Sequence, residues 1–167
     1  MRRAFVSGLL PEEDHPSDCK ELFGLGPGLT PSGDDVMGGA MVALAMLGWC
    51  ELRDTLWVSL REHARLRTSD LSLAHLEGAA EGHGAAALHA VLASLLTGAG
   101  ERLSADLAML DAIGHSSGWD GLAGALLVLR AYREVRPGRS SAWRSGPWPR
   151  GCSAPSSRGS RDRAPPG

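Results

Sequence analysis

Apolar positions along this chain fall almost entirely into helical registers. From Val36 to Trp49 the sequence is nearly continuously apolar, rich in Ala, Met and Leu, with Gly48 close to its end, which predicts a buried helix whose Met and Leu side chains are core. Leu52, Leu56, Leu60 and Ala64 then recur every four residues, with Arg53, Glu62 and Arg65 among the polar positions, as an amphipathic helix requires. A third helix is expected over Leu71–Glu81. Gly82 and Gly84 separate it from a fourth over Ala85–Leu96, and Gly98 and Gly100 separate that from a fifth over Leu103–Ile113. A last helix is expected from about Gly118 to Tyr132. Alternation of β-branched and aromatic residues, the mark of strands, is nearly absent. The pattern predicts an all-α fold, a single compact helical domain of about five to six helices.

Charge divides the chain. Up to Arg133 there are 10 Lys+Arg against 17 Asp+Glu, and beyond it 7 against 2, which together give the whole-chain net charge of −2. The helical part is therefore acidic. Residues 134–167 are built from Arg, Ser, Pro and Gly, without Leu, Ile, Met or Phe, and cannot bury enough surface to offset the entropy of ordering. They are expected to be a disordered tail, with no nucleic-acid partner expected despite the arginines. Residues 1–21 are expected to be weakly structured, leaving 22–133 as the domain. Cys19, Cys50 and Cys152 show no metal-ligand spacing and read as reduced intracellular thiols. The apolar run after Arg2 and Arg3 is broken by Gly8 and Pro11, too short for a secretory signal, and no stretch approaches a membrane span. A soluble, cytoplasmic protein is expected.

Aligned on itself, the chain repeats. Ser32-Gly33-Asp34-Asp35-Val36-Met37-Gly38-Gly39-Ala40, with Leu44 beyond, matches Ser117-Gly118-Trp119-Asp120-Gly121-Leu122-Ala123-Gly124-Ala125, with Leu129 beyond. The shared pattern is S-G-x-D-x-x-x-G-A-x-x-x-L, and it predicts two equivalent helix starts in one domain. Ser32-x-x-Asp35 and Ser117-x-x-Asp120 fit the capping box, in which Ser and acid side chains satisfy orphan amides. Capping alone accounts for those four residues. It does not account for Gly39 and Gly124, because glycine inside a helix costs about 1 kcal/mol relative to alanine. Each glycine stands four residues beyond an Asp, on the same helix face. The expectation is that the two helices cross at Gly39 and Gly124 and bring Asp35 and Asp120 to one shared site.

Gly24, Gly26, Gly28 and Gly33 alternate with Pro27 and Pro31 ahead of the first repeat helix. Such a loop exposes amides and feeds a helix N-terminus, a ready anion site. It is neither a Walker loop nor a Rossmann turn, lacking the lysine of one and the strand and spacing of the other. Asp34 and Asp35 repel an anion, and two resolutions are physical. Mg²⁺ held by Asp34 and Asp35 would bridge to phosphate oxygens. Alternatively the ligand is mixed, with an anionic end for the amides and N–H donors for the carboxylates, as in a carbamoyl or ureido compound.

LGPGLTPSGDD (Leu25–Asp35), the following apolar helix with paired glycines, the stretch Arg67-Thr68-Ser69 with Ser72 downstream, and G-H-S-S-G-x-D (Gly114–Asp120) occur in an order that resembles the oxamate carbamoyltransferase AllH-type subunit family. The resemblance covers residues 22–133. It implies a role in anaerobic allantoin degradation, the phosphorolysis of oxalurate to oxamate and carbamoyl phosphate, carried out with other subunits of a hetero-oligomer. Relatives carry a longer region ahead of the glycine-rich loop, so a truncated copy is a further expectation. On this reading His115, Asp35 and Asp120 are the candidate catalytic residues. Gly28, Thr30, Ser32, Gly33, Asp34, Arg67, Thr68, Ser116, Ser117 and Gly118 are the candidates for binding a small anionic carbamoyl compound or phosphate. His75, His83 and His89 are expected at the surface. A non-catalytic helical interaction subunit and a Mg²⁺-dependent phosphohydrolase are the alternatives.

Overall fold

A computed structural model describes residues 19–114 and 116–135; the expectations for residues 1–18, for the tail from 136 onward and for His115 fall outside them. Among the described residues six helices follow one another: α1 (Ser32–Met46), α2 (Cys50–Arg67), α3 (Asp70–Ala80), α4 (Ala86–Thr97), α5 (Gly100–Asp111) and α6 (Ser117–Val135). No strand occurs among the described residues. The domain is all-α.

The main difference from the sequence pattern is at α1, which starts at Ser32, four residues before the apolar run. Polar residues Ser32, Asp34 and Asp35 are thus inside the first turn, where acids suit the positive end of the helix dipole. The helix ends at Met46, short of the expected Trp49. Gly48 adopts φ 73°, its N–H donates to the Ala45 carbonyl (2.9 Å), and the Trp49 N–H donates to Leu44 (2.8 Å), a Schellman closure that a residue with a Cβ would strain. Gly82, at φ 89°, closes α3 in the same way.

Helices α1 and α6 form the central pair, with α3 laid along α1, α2 against both, and α4–α5 packed together beside α6. Their shared core includes Met41 and Leu44 from α1, Leu76 from α3, Val91 from α4, Leu110 from α5 and Ala125 from α6. The α1–α6 crossing is backbone to backbone. A Cβ added to Gly39 would stand 2.8 Å from the Gly121 Cα and nearer still to its carbonyl; one added to Gly124 would stand 3.0 Å from the Val36 Cα and nearer to its carbonyl. In the sequence repeat Val36 and Gly121 are equivalent positions, as are Gly39 and Gly124. The two close approaches therefore exchange when the copies are exchanged, as a local two-fold axis requires.

Two residues depart from the sequence pattern. Arg53, one of the polar positions of the α2 pattern, is fully buried; its guanidinium grips Asp54 (2.6 and 2.9 Å), and Nη1 has no partner. Cys50 is disulfide-bonded, so the expectation of reduced thiols fails there. Among the described residues no helix is long and apolar enough to cross a membrane.

Candidate functional site

The glycine-rich loop is fastened by Asp34. This side chain is 2% exposed, and its carboxylate accepts the Gly24 N–H (2.9 Å), the Ser72 hydroxyl (2.6 Å) and the Thr68 hydroxyl. The Ser69 hydroxyl adds a bond to the Leu29 carbonyl (2.6 Å). One buried carboxylate thus ties together the loop, the start of α1 and the start of α3. Asp34 thereby differs from its neighbour Asp35, since its oxygens accept from internal donors. Among the described residues no three His, Cys, Asp or Glu side chains gather where they could hold a metal ion.

The capping-box reading is corrected as well. Pro31, not Ser32, is the N-cap of α1, and no side chain caps it. Its carbonyl receives the N–H groups of Asp34 (2.9 Å) and Asp35 (3.1 Å), and the Gly33 N–H donates to Leu25 (3.0 Å). The amides at 33–35 are therefore satisfied by the loop and do not form an open cradle. Gly33 is there because Leu22 packs onto it: a Cβ would lie 2.8 Å from the Leu22 carbonyl carbon. At the second start, Ser116 supplies the N-cap carbonyl to the Asp120 N–H (2.9 Å). The hydroxyl of Ser117 reaches instead across to Thr30, 3.1 Å away, joining the two helix starts.

Relieved of capping, Asp35 and Asp120 come together. Gly121, next to Asp120, packs against the Asp35 carbonyl, and the Asp120 charge acts on the Asp35 carboxylate. Burial pushes the Asp35 carboxyl above its ordinary value; the Ser117 and Thr30 hydroxyls oppose the rise, the Asp120 charge adds to it, and His75 opposes it. Asp35 Oδ2 and Asp120 Oδ2 are both buried without a hydrogen-bond partner.

Asp35 opens onto a cleft of about 990 Å³ between the loop, α1, α3, the turn at 83–85 and the start of α6. This is at the upper end of the size of small-ligand pockets, so placed polar groups, more than shape, decide where a small ligand sits. Gly28, Thr30, Ser116, Ser117 and Gly118 line it, as the sequence suggests. Arg67, Thr68, Ser32, Gly33 and Asp120 do not: Arg67 is exposed at the end of α2, Thr68 serves Asp34, Gly33 is buried, and Asp120 stands behind Gly121, which does line it. Two residues dismissed as surface histidines, His75 and His83, do line it; both are exposed, as expected. The signal for His75 was its place one turn beyond Ser72, on the α3 face that meets α1. His89 instead bonds the Ala85 and Gly82 carbonyls, each at 3.2 Å.

Fold and site define an all-α domain with an acidic cleft at the paired starts of its two central helices. Over residues 22–129 the sequence matches the family model described as oxamate carbamoyltransferase subunit AllH, and the chain belongs to that family. No solved structure matches it.

Proposed function

We propose that this chain is the ligand-binding subunit of a carbamoyltransferase, and that its cleft takes a carbamoyl compound bearing an anionic end. The reaction served is the phosphorolysis of oxalurate to oxamate and carbamoyl phosphate, in cytoplasmic allantoin breakdown, with other subunits completing the enzyme. The observation that carries the reading is the pair of buried, unpartnered oxygens, Asp35 Oδ2 and Asp120 Oδ2. Buried acceptors without donors are costly, about 1–3 kcal/mol each, and a ligand N–H on each would remove that cost. A carbamoyl –NH₂ supplies two such donors. The Thr30 and Ser117 hydroxyls beside them are engaged with each other and with Asp35, and so fix the direction in which its carboxylate presents itself.

A purely architectural role as a helical interaction subunit draws support from Leu29 and Leu66, 72% and 83% exposed. The phosphohydrolase alternative rested on Asp34 and Asp35 acting as a pair, and Asp34 is otherwise engaged. Titration calorimetry with carbamoyl phosphate and oxamate, with and without Mg²⁺, tests the proposal. Binding by the wild type that falls more than about tenfold in Asp35→Asn/Asp120→Asn is expected. Binding that survives the double substitution, or no binding by folded wild type, overturns it.

A further inference from the structure

The cleft leaves one charge unmatched. Asp35 and Asp120 suit N–H donors, yet oxamate and carbamoyl phosphate are anions, and Arg67, the cation suggested by the sequence, does not line the cleft. Among the described residues lining it, only His75 and His83 can carry positive charge. His83 stands at the rim, its side chain 77% exposed and its Nδ1 3.6 Å from Glu81 Oε2, so a neighbouring carboxylate already meets its charge. His75 differs. It lies one turn beyond Ser72, which the Asp34 clamp holds in place, and its positive charge reaches the Asp35 carboxylate.

We propose that His75 is the specificity-determining residue of this cleft, its imidazolium pairing with the carboxylate or phosphate of a ligand whose amide end rests on Asp35 and Asp120. The inference rests on the ligand-binding reading above. It resolves how a site built from acids admits an anion: a residue able to carry positive charge lines the same cleft, and an ion pair formed with partial shielding from water is strengthened accordingly. The charged groups that line the cleft with His75 are Asp34 and Asp35 on α1 and His83 at the turn; Asp120 on α6 acts on Asp35 from behind the lining, and Glu81 stands beside His83. On its own helix are Asp70 and Glu77, the latter 3.6 Å from Arg65.

The test compares oxamate with oxamide, which replaces the carboxylate by a neutral amide of the same size. Calorimetry on the full chain runs from about pH 5.5 to about pH 8.5, a range in which imidazole loses its charge and oxamate keeps its own. Oxamate binding should weaken as pH rises. At the acid end His75→Gln should lower oxamate affinity about tenfold and leave oxamide within about twofold. His75→Lys should keep oxamate binding at the alkaline end, because its charge persists there. Ionisation of Asp35 weakens oxamate in the same direction but remains in His75→Gln, so the difference between the two proteins isolates the histidine. If His75→Gln binds oxamate within about twofold of wild type at the acid end, this inference falls while the parent reading stands. If folded wild type binds neither compound, both fall.

Discussion

Gly38 and Gly39 are neighbours in one helix, and adding a methyl group to each should move stability in opposite directions. At Gly38 a Cβ would meet only the Ala79 Cβ, at 3.8 Å, an ordinary van der Waals separation. Gly38→Ala therefore gains helix propensity without a clash and should stabilise by up to about 1 kcal/mol. At Gly39 the Cβ would stand 2.8 Å from the Gly121 Cα, where carbon atoms prefer about 3.5–4.0 Å. The obstacle is backbone, which no rotamer change can clear, so α1 and α6 must part by roughly 1 Å along the main interface of the domain. Overpacking of this kind costs about 1–3 kcal/mol and more when backbone must move; set against the propensity gain, Gly39→Ala should destabilise by about 2–3 kcal/mol. Gly124→Ala should do the same, and the double variant should cost less than the sum, because one separation relieves both clashes. Urea denaturation reads this directly: the midpoint shifts while the slope stays constant. A Gly39→Ala protein as stable as Gly38→Ala would refute the backbone-contact crossing.

Asp34→Asn puts an amide –NH₂ among donors from Gly24, Thr68 and Ser72; a loss of about 2–4 kcal/mol and faster proteolytic cutting in the 24–30 loop are expected. The Asp35 carboxyl is raised above its unfolded value, so the folded state holds its proton more tightly; the stability this gives is complete below the unfolded pKa and is lost as pH rises through the folded one. Asp35→Asn should accordingly become more stable relative to wild type on going from about pH 4 to about pH 7, and a difference independent of pH in denaturant melts would contradict the assignment. Arg53→Met removes a buried charge whose Nη1 has no partner and should be neutral or stabilising by up to about 2 kcal/mol, whereas Asp54→Ala, which strands the arginine, should destabilise by about 1–2 kcal/mol, discounted because Asp54 is 42% exposed.

The helices were legible because their apolar periodicity is a local property: every predicted segment exists, and ends move by a few residues where Gly48 and Gly82 close them. The crossing was legible for a different reason. Gly39 and Gly124 carry a cost in any isolated helix, and repetition of that cost in two places marks a close approach of the two helices, Gly39 to Gly121 and Gly124 to Val36. What could not be read was the fate of each polar side chain. Ser32 with Asp35 fits a capping box by spacing, but Pro31 and the loop carbonyls had already filled that role. Asp34 and Asp35 are adjacent letters, yet a 100° turn of the helix sends one into the Thr68–Ser72 clamp and the other to the cleft. The burial of Arg53 and the opening of His75 onto the cleft were out of reach for the same reason, since both depend on which helix lies opposite.

The crossing and the candidate site are one device. Asp35 and Asp120 occupy equivalent positions in the two copies, so any arrangement that lets Gly39 meet Gly121 and Gly124 meet Val36 also carries both carboxylates toward the axis relating them. Two acids at a helix start gain from its dipole, which holds them in the first turn although they oppose each other across the axis. Their mutual repulsion and burial are sustained by packing contacts elsewhere in the same interface, at Leu122, Ala125 and Val128 against the α1 core. The strain this leaves, a raised Asp35 and two unpartnered oxygens, is what a ligand with N–H donors would relieve.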